Sequence, residues 1–114
     1  MRSSDSEILE RLGSVLESRK RERPQGSYTA HLFAAGLDVI LEKVGEEAVE
    51  TVVAAKSGDP ERLVYETADL WFHTLIMLVH QGLSATDVLR ELARRFGTSG
   101  FEEKQRRGNE RGES

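Results

Sequence analysis

Residues 43–73 read KVGEEAVETVVAAKSGDPERLVYETADLWFH, and this stretch decides the fold. Its centre, Ser57-Gly58-Asp59-Pro60, favours a turn, because glycine ends helices, aspartate caps them and proline suits only their first turn. Apolar residues recur at helical spacing on both sides of the turn. The stretch therefore predicts two antiparallel helices joined by a tight hairpin.

The acidic residues of the hairpin are spaced so that they meet. Both helices rise roughly 1.5 Å per residue, so residues equidistant from the turn lie at one level. Glu50 then lies level with Glu66, and Glu47 lies level with Asp69. Helical spacing also places the acids of each helix on one face. The sequence predicts four carboxylates converging between two helices, with Glu46 either adjoining them or serving a second metal ion.

Such a cluster requires a cation, because like charges repel and desolvating each one costs on the order of several kcal/mol. An all-oxygen set suits Mg²⁺, with Mn²⁺ as a possible substitute. A merely solvated face is the alternative for Glu46. It is not expected for Glu66 and Asp69, because residues 63–79 are apolar nearly all round. The predicted metal ligands are Glu47, Glu50, Glu66 and Asp69, and the predicted catalytic set adds Glu46.

Residues that flank these acids are candidates for binding a phosphate-bearing substrate. Ser27-Tyr28-Thr29 starts a short helix, where hydroxyls and free backbone N–H groups can bind phosphate, although these residues also suit an ordinary N-cap. Lys43 suits a substrate phosphate or a salt bridge within the acid cluster. His73 would orient a ligand or pack in the core. The predicted substrate-binding set is Ser27, Tyr28, Thr29, Lys43, His73, Arg94 and Arg95.

The composition limits the class of protein. The length of 114 residues predicts one domain, which we place at residues 1–97, followed by a polar, disordered tail at 98–114. A net charge of −4 argues against general nucleic-acid binding. The chain has no cysteine for disulfides or thiolate metal sites. Neither a signal peptide nor an apolar run of roughly 20 residues is present, so we expect no membrane span and a cytoplasmic location.

Helical periodicity along the chain predicts about five helices and no strand, and hence an all-α, bundle-like fold. The segment SRKRERPQG, residues 18–26, is expected to be a basic connection that is solvated rather than bound to substrate. The second hairpin helix is expected to be the most buried element. A capping box of Ser84 and Asp87 predicts the start of the last helix. The residues of that helix expected to face inward are Val88, Leu89, Leu92 and Phe96.

The first hairpin helix carries two apolar stripes, which must be covered on two sides. One stripe comprises Leu37, Leu41, Val44, Ala48, Val52 and Ala55, and the other comprises Val39, Val49 and Val53. A small chain has few helices with which to cover both, so we expect a homodimer. In such a dimer, the segment at Tyr28, or Arg94 with Arg95, of one chain would complete the pocket of the other.

Two segments carry a resemblance to a known family. They are SYTAHLFAAGLDVILEKVGEEAVETVVAAKSGD, residues 27–59, and YETADLWFHTLIMLVHQGLSATDVLRELARR, residues 65–95. Within them, Glu46-Glu47-x-x-Glu50 and Glu66-x-x-Asp69 match the acidic pattern of the all-α nucleotide pyrophosphatase (MazG-like) superfamily. The S-Y-T start and the K-V-G-E-E-A context narrow the resemblance to the phosphoribosyl-ATP pyrophosphatases, the pyrophosphohydrolases of histidine biosynthesis.

This resemblance implies an all-helical homodimer that binds Mg²⁺ through the acids. It also implies hydrolysis of phosphoribosyl-ATP to phosphoribosyl-AMP and pyrophosphate. Two other functions remain open. One is a house-cleaning pyrophosphatase that acts on other nucleoside triphosphates, and the other is a non-enzymatic helical dimerisation module with an incidental acidic patch.

Overall fold

The computed structural model describes residues 5–96, and the tail expected at 98–114 lies outside them. The described chain is all-α, as predicted. A 3₁₀ turn at Asp5–Glu7 precedes five helices, which are α1 (Ile8–Glu22), α2 (Tyr28–Ala35), α3 (Leu37–Ser57), α4 (Pro60–His80) and α5 (Ala85–Phe96). None of these helices combines the length and the apolar character needed to cross a bilayer.

The predicted hairpin is formed by α3 and α4. Gly58 ends α3 in the left-handed region at φ 76°, which glycine adopts without steric cost. The carboxylate of Asp59 accepts hydrogen bonds from the backbone N–H groups of Glu61 and Arg62, at 3.1 and 3.4 Å. Pro60 occupies the first turn of α4, where its missing N–H leaves no bond unmade. The turn chemistry read from the sequence is therefore confirmed.

Helix α1 is longer than the sequence suggested. Part of the expected basic connection is helical, because α1 continues to Glu22. Arg23 is its C-cap, in the left-handed region at φ 49°, and immediately precedes Pro24. Arginine, lysine and glutamate are good helix formers, whereas a residue before proline is disfavoured in the α region. The ammonium group of Lys20 donates to the backbone carbonyl of Val79, at 2.9 Å, and so binds the C-terminal end of α4.

The core lies at one end of the hairpin, where α3 begins and α4 ends. Helices α1 and α2 pack against this end. Helix α4 contributes three of the eight buried core residues, more than any other helix. The core members are Leu16, Leu32, Phe33, Ile40, Leu75, Ile76, Val79 and Ala85. This end of the molecule is thus stabilised by apolar burial within one chain.

The two stripes predicted on α3 do not describe its buried face. That face instead combines apolar and polar side chains at spacings of four and three residues, which are Ile40, Val44, Glu47, Thr51 and Ala54. Val39 packs against the core rather than forming part of an exposed stripe. Val52 is 63% exposed. Glutamate and threonine therefore take positions along the helix contact that a periodicity of apolar residues cannot reveal.

Helices α4 and α5 also leave apolar residues uncovered. Glu66 and Asp69 are half-buried, as expected, but the apolar surface of α4 is not covered all round, because Val64 is exposed and Trp71 is 58% exposed. The prediction of an inward-facing apolar stripe on α5 is wrong. Only Ala85 is buried on α5, while Val88, Leu89 and Leu92 are partly exposed and Phe96 is 90% exposed. Each stripe has the expected helical spacing, but within the described chain nothing buries it.

The capping box at the start of α5 is confirmed. The carboxylate of Asp87 accepts hydrogen bonds from the backbone N–H of Ser84, at 2.9 Å, and from the Ser84 hydroxyl, at 3.3 Å. The short sequence pattern was sufficient here, because both partners lie within one turn.

Candidate functional site

The carboxylates of Glu47 and Asp69 meet between α3 and α4, at the level that the hairpin geometry predicted. Each, together with the buried His73, offers a ligand atom, and these atoms lie within 4.8 Å of one another. Burial raises the pKa of Glu47. A hydrogen bond to Asp69 and the charges of Asp69 and Glu66 raise it further, while His73 opposes them. A hydrogen bond between two carboxyl groups requires that one of them keep its proton, which removes the repulsion between two negative charges. A cation bound here would neutralise the same repulsion without the proton.

His73 is held at both ring nitrogens. Its Nδ1 lies 2.8 Å from the backbone carbonyl oxygen of Asp69, which can only accept, so Nδ1 carries the proton. Its Nε2 lies 2.8 Å from the Tyr28 hydroxyl, which donates to it when the ring is neutral. The side chain is only 4% exposed. The ring would have to give up one of these bonds to ligate a metal, so its contacts favour an orienting role.

Tyr28 is brought to the carboxylates by the start of α2. Ser27 caps this helix, since its hydroxyl accepts a hydrogen bond from the N–H of Ala30 at 3.1 Å. The ring of Tyr28 contacts His73 edge-on, and about half of the side chain remains exposed. Burial raises the pKa of Tyr28, Lys43 lowers it, and Asp69 and Glu47 raise it. The N-cap at Ser27 fixes the start of α2, and it therefore fixes the position of the Tyr28 ring beside the carboxylates. Thr29 is half-buried in the same turn.

The other predicted acids lie around this centre. Glu66 is half-buried and close enough for its charge to raise the pKa of Glu47. Glu50 is exposed and, like Glu66, is not part of the close group with Asp69. Glu46 is exposed and pairs with Lys43, at 3.5 Å. The structure thus brings together one of the two predicted carboxylate pairs tightly, with the remaining acids at its edge.

Lys43 faces the site from α3. The carboxylate of Glu46 raises the pKa of Lys43, and Tyr28 and Glu47 raise it further. In the structure Lys43 therefore pairs with Glu46, an acid of the predicted cluster. A salt bridge of this kind is one of the two roles that the sequence left open for Lys43, the other being phosphate binding. Because this ion pair is solvated, a phosphate oxygen can replace Glu46 at modest cost.

Arg94 and Arg95 lie on α5, which packs against α1. Both guanidinium groups bond to Glu91 of the same helix, at 2.6 Å from Arg94 and 3.0 Å from Arg95. These hydrogen bonds lower the pKa of Glu91 to about 2. In the described chain both arginines therefore contact an acid of their own helix.

Thr51 belongs to the site but was not predicted. Its hydroxyl donates to the backbone carbonyl of Glu47, at 2.7 Å, and lies 3.2 Å from that of Glu66. The position follows from the hairpin arithmetic, because Thr51 lies one turn after Glu47 and close to the level of Glu66. Threonine is uncharged and is not a common ligand of metal ions in proteins, so a search for patterns of charged residues does not identify it.

A groove of about 430 Å³ runs beside this site, between α1 and α4. Asp69 lines it at one point, and most of its surface is apolar. The aromatic residues of its wall are Tyr65, Trp71 and Phe72. It has the size and the apolar lining typical of small-molecule sites, with a charged group at the edge.

The fold and the site together define a class, an all-α protein whose helical hairpin gathers carboxylates suited to a hard divalent cation. The model of the family named Phosphoribosyl-ATP pyrophosphohydrolase matches residues 9–96. This chain belongs to that family.

Two curated relatives agree with this assignment. A protein of Methylococcus capsulatus named phosphoribosyl-ATP pyrophosphatase is 61% identical over 98 residues, which cover 86% of this chain and 93% of the relative. A protein of Hydrogenovibrio crunogenus with the same name is 58% identical over 106 residues, covering 90% of this chain and 94% of the relative. The similarity therefore extends over nearly the whole length of both proteins.

Proposed function

We propose that this protein hydrolyses phosphoribosyl-ATP to phosphoribosyl-AMP and pyrophosphate, the second step of histidine biosynthesis, in the cytoplasm. The observation that carries the proposal is the meeting of Glu47 and Asp69 inside a chain that belongs to the phosphoribosyl-ATP pyrophosphohydrolase family. A pair of carboxylates held together at the cost of repulsion is retained for binding a cation.

Glu47 and Asp69 would hold Mg²⁺, or Mn²⁺ in its place, with Glu50 and Glu66 completing the set of oxygen ligands. The donor set fits such an ion, because hard cations prefer carboxylate oxygens and the site retains exposed acids on one side. When bound, the metal supplies neutralisation of phosphate charge and a water of lowered pKa. Whichever acid does not ligate the metal, Glu46 included, can accept the proton of the attacking water.

The groups around the acids would bind the substrate. Lys43 can exchange Glu46 for a phosphate oxygen, and the Tyr28 hydroxyl is held beside the same acids by His73. Ser27 and Thr29 lie at the N-terminal end of α2, where backbone N–H groups favour anions. The groove beside Asp69 has aromatic walls that suit the adenine ring. Phosphates and base would thus lie on adjoining surfaces.

We further propose that two copies of the chain pair through one face of the hairpin. Leu41 and Val52 lie on one side of α3, about a quarter-turn from its contact with α4, and Val64 and Trp71 lie on the matching side of α4. All are exposed in the single chain. Helical geometry places this hairpin face away from Lys43 and Tyr28. A symmetric dimer would cover it, in keeping with the rarity of large apolar patches on monomers.

The second subunit would also reach the substrate groove, because Trp71 belongs both to the hairpin face and to the groove wall. Arg94 and Arg95 carry positive charge on α5, and they would reach the partner's substrate in such a dimer. Dimerisation and substrate binding would then depend on each other.

The activity is tested with the purified full-length chain, phosphoribosyl-ATP and Mg²⁺, by measuring released pyrophosphate. We expect turnover that EDTA abolishes, and Asp69→Asn should lower kcat at least about 100-fold while retaining helical circular dichroism. The control is Glu42→Gln, an exposed acid of α3 outside the site, which should retain activity.

Two results would contradict the proposal. Faster release of pyrophosphate from deoxynucleoside triphosphates than from phosphoribosyl-ATP would favour the house-cleaning enzyme. Calorimetry that detects no binding of Mg²⁺ or of a non-hydrolysable nucleotide would leave the dimerisation module as the better explanation.

A further inference from the structure

We propose that Thr51 is a positioning residue for the metal-binding acids, because its hydroxyl holds α3 and α4 in the register that keeps Glu47 opposite Asp69. This inference rests on the proposed function. The hydroxyl contacts the backbone carbonyl oxygens of Glu47 and Glu66, at 2.7 and 3.2 Å. One group therefore connects the backbones of two predicted metal ligands that lie on different helices.

The contact to Glu66 distinguishes Thr51 from two other threonines. The hydroxyls of Thr67 and Thr74 donate to the carbonyls of Leu63 and Leu70, each at 2.7 Å and each within α4. Such a bond to the residue four positions earlier is common for threonine in helices. Thr51 makes the same local bond and in addition reaches across the hairpin. All three side chains are partly buried, so the three sites are well matched.

The turn at Gly58 and Asp59 sets the register of α3 and α4 to the nearest residue, but few apolar contacts on α3 hold it more closely at the level of the acids. On the half of α3 next to the turn, Ala54 is buried, while Val52 and Val53 are exposed. A small side chain in the contact permits sliding, and the like charges of Glu47 and Asp69 favour separation. The turn excludes a slip by a whole residue, which would be roughly 1.5 Å, but Mg²⁺ tolerates only a few tenths of an ångström in its bonds to oxygen, so a much smaller displacement of the two helices would disturb the site.

The hydroxyl can be tested apart from the methyl group that packs beside it. Thr51→Val keeps the shape and removes the hydrogen bonds, while the pair Thr51→Ser and Thr51→Ala differs only in the hydroxyl. Thr67→Val is the matched control, because it removes a hydroxyl of the same kind that bonds within one helix. The property to measure is Mg²⁺ affinity of the full-length protein by calorimetry, with Mn²⁺ as a second probe.

We expect Thr51→Val and Thr51→Ala to bind Mg²⁺ about 10-fold more weakly than wild type. A tenfold change corresponds to about 1.4 kcal/mol, the size of one hydrogen bond. Thr51→Ser should remain within about threefold of wild type, and Thr67→Val within about twofold. Turnover at limiting Mg²⁺ should follow the same order.

Several outcomes would overturn the inference. Equal Mg²⁺ affinity in wild type and Thr51→Val would show that the hydroxyl does not position the acids, and an equal loss in Thr67→Val would assign the effect to general stability. If Thr51→Val fails to fold by circular dichroism, the serine and alanine variants decide by the same criterion. A wild-type protein that binds no Mg²⁺ would instead refute the proposed function, and this inference with it.

Discussion

The two halves of the α3–α4 hairpin differ in what holds them together. At the open end, where α3 begins and α4 ends, Ile40 and Ile76 are buried in a core shared with α1 and α2. At the half next to the turn, the contact between the helices consists of Glu47, Thr51 and Ala54, and neighbouring valines are exposed. The comparison shows a hairpin with apolar burial concentrated at one end and the carboxylate site in the half with less apolar burial, where we expect lower local stability.

The largest expected effect comes from the core end. Ile76→Ala removes a fully buried side chain and should lower the free energy of unfolding by about 2–5 kcal/mol. Val49→Ala, on the exposed surface of α3 near the turn, should change it by less than about 0.5 kcal/mol. Urea denaturation measures both. Similar losses in the two variants would remove the proposed difference between the halves.

The second-largest expected effect concerns dimerisation, and it tests whether a second subunit packs against the half of the hairpin next to the turn. Val52→Asp would bury an unpaired charge in the proposed interface and should weaken dimerisation at least about 100-fold, or roughly 3 kcal/mol. Val53→Asp is the matched control, because Val53 belongs to the other stripe predicted on α3 and points away from that face. An equal loss of dimer in Val53→Asp would instead place the Val53 stripe in the interface. Light scattering at micromolar concentration reports the mass, and a wild-type protein that is an active monomer would exclude the dimer.

A smaller effect comes from the repulsion in the site. Without metal, Glu47→Gln should raise the melting temperature by roughly 2–6 °C, or about 0.5–1 kcal/mol after allowance for solvent screening. Because folding raises the pKa of Glu47, the carboxyl group stabilises the fold below its ordinary pKa, and that stabilisation is lost as the pH rises through the folded-state value. The variant should lack this pH dependence.

Magnesium provides the complementary measurement for Glu47. The ion should raise the melting temperature of wild type through binding to the folded state, and it should raise that of Glu47→Gln less. Glu42→Gln, whose carboxylate lies outside the site, should behave like wild type in both respects. An apo melting temperature that falls in Glu47→Gln would contradict a strained carboxylate pair.

The smallest effect concerns α5, which belongs to neither half. Arg94 and Arg95 lower the pKa of Glu91 to about 2, so the carboxylate should titrate near that value in an NMR experiment. Since the pKa is lowered on folding, the contribution to stability is present above the ordinary value of 4.5 and is lost as the pH falls towards 2. Replacing both arginines by glutamine should return the midpoint towards 4.5, and a midpoint that stays near 2 would point to another cause.

Local patterns accounted for most of the fold and for part of the site. The hairpin turn, the N-cap at Ser27 and the level pairing of Glu47 with Asp69 follow from bonds within one helical turn or from a constant rise per residue. The apolar faces were placed less well, since Val39 is covered, while Val52 and Trp71 are not. Periodicity identifies an apolar stripe but does not say whether this chain or another molecule covers it.

What the sequence determined by itself was the all-α hairpin and the acids it carries, because these depend on contacts between residues close in the chain. Tertiary structure alone decided that His73 binds Tyr28, and that Thr51 reaches Glu66. Those contacts depend on the rotation of each helix about its axis and on the docking of α2 against α4. Both follow from packing of the whole core, which no single stretch of sequence encodes.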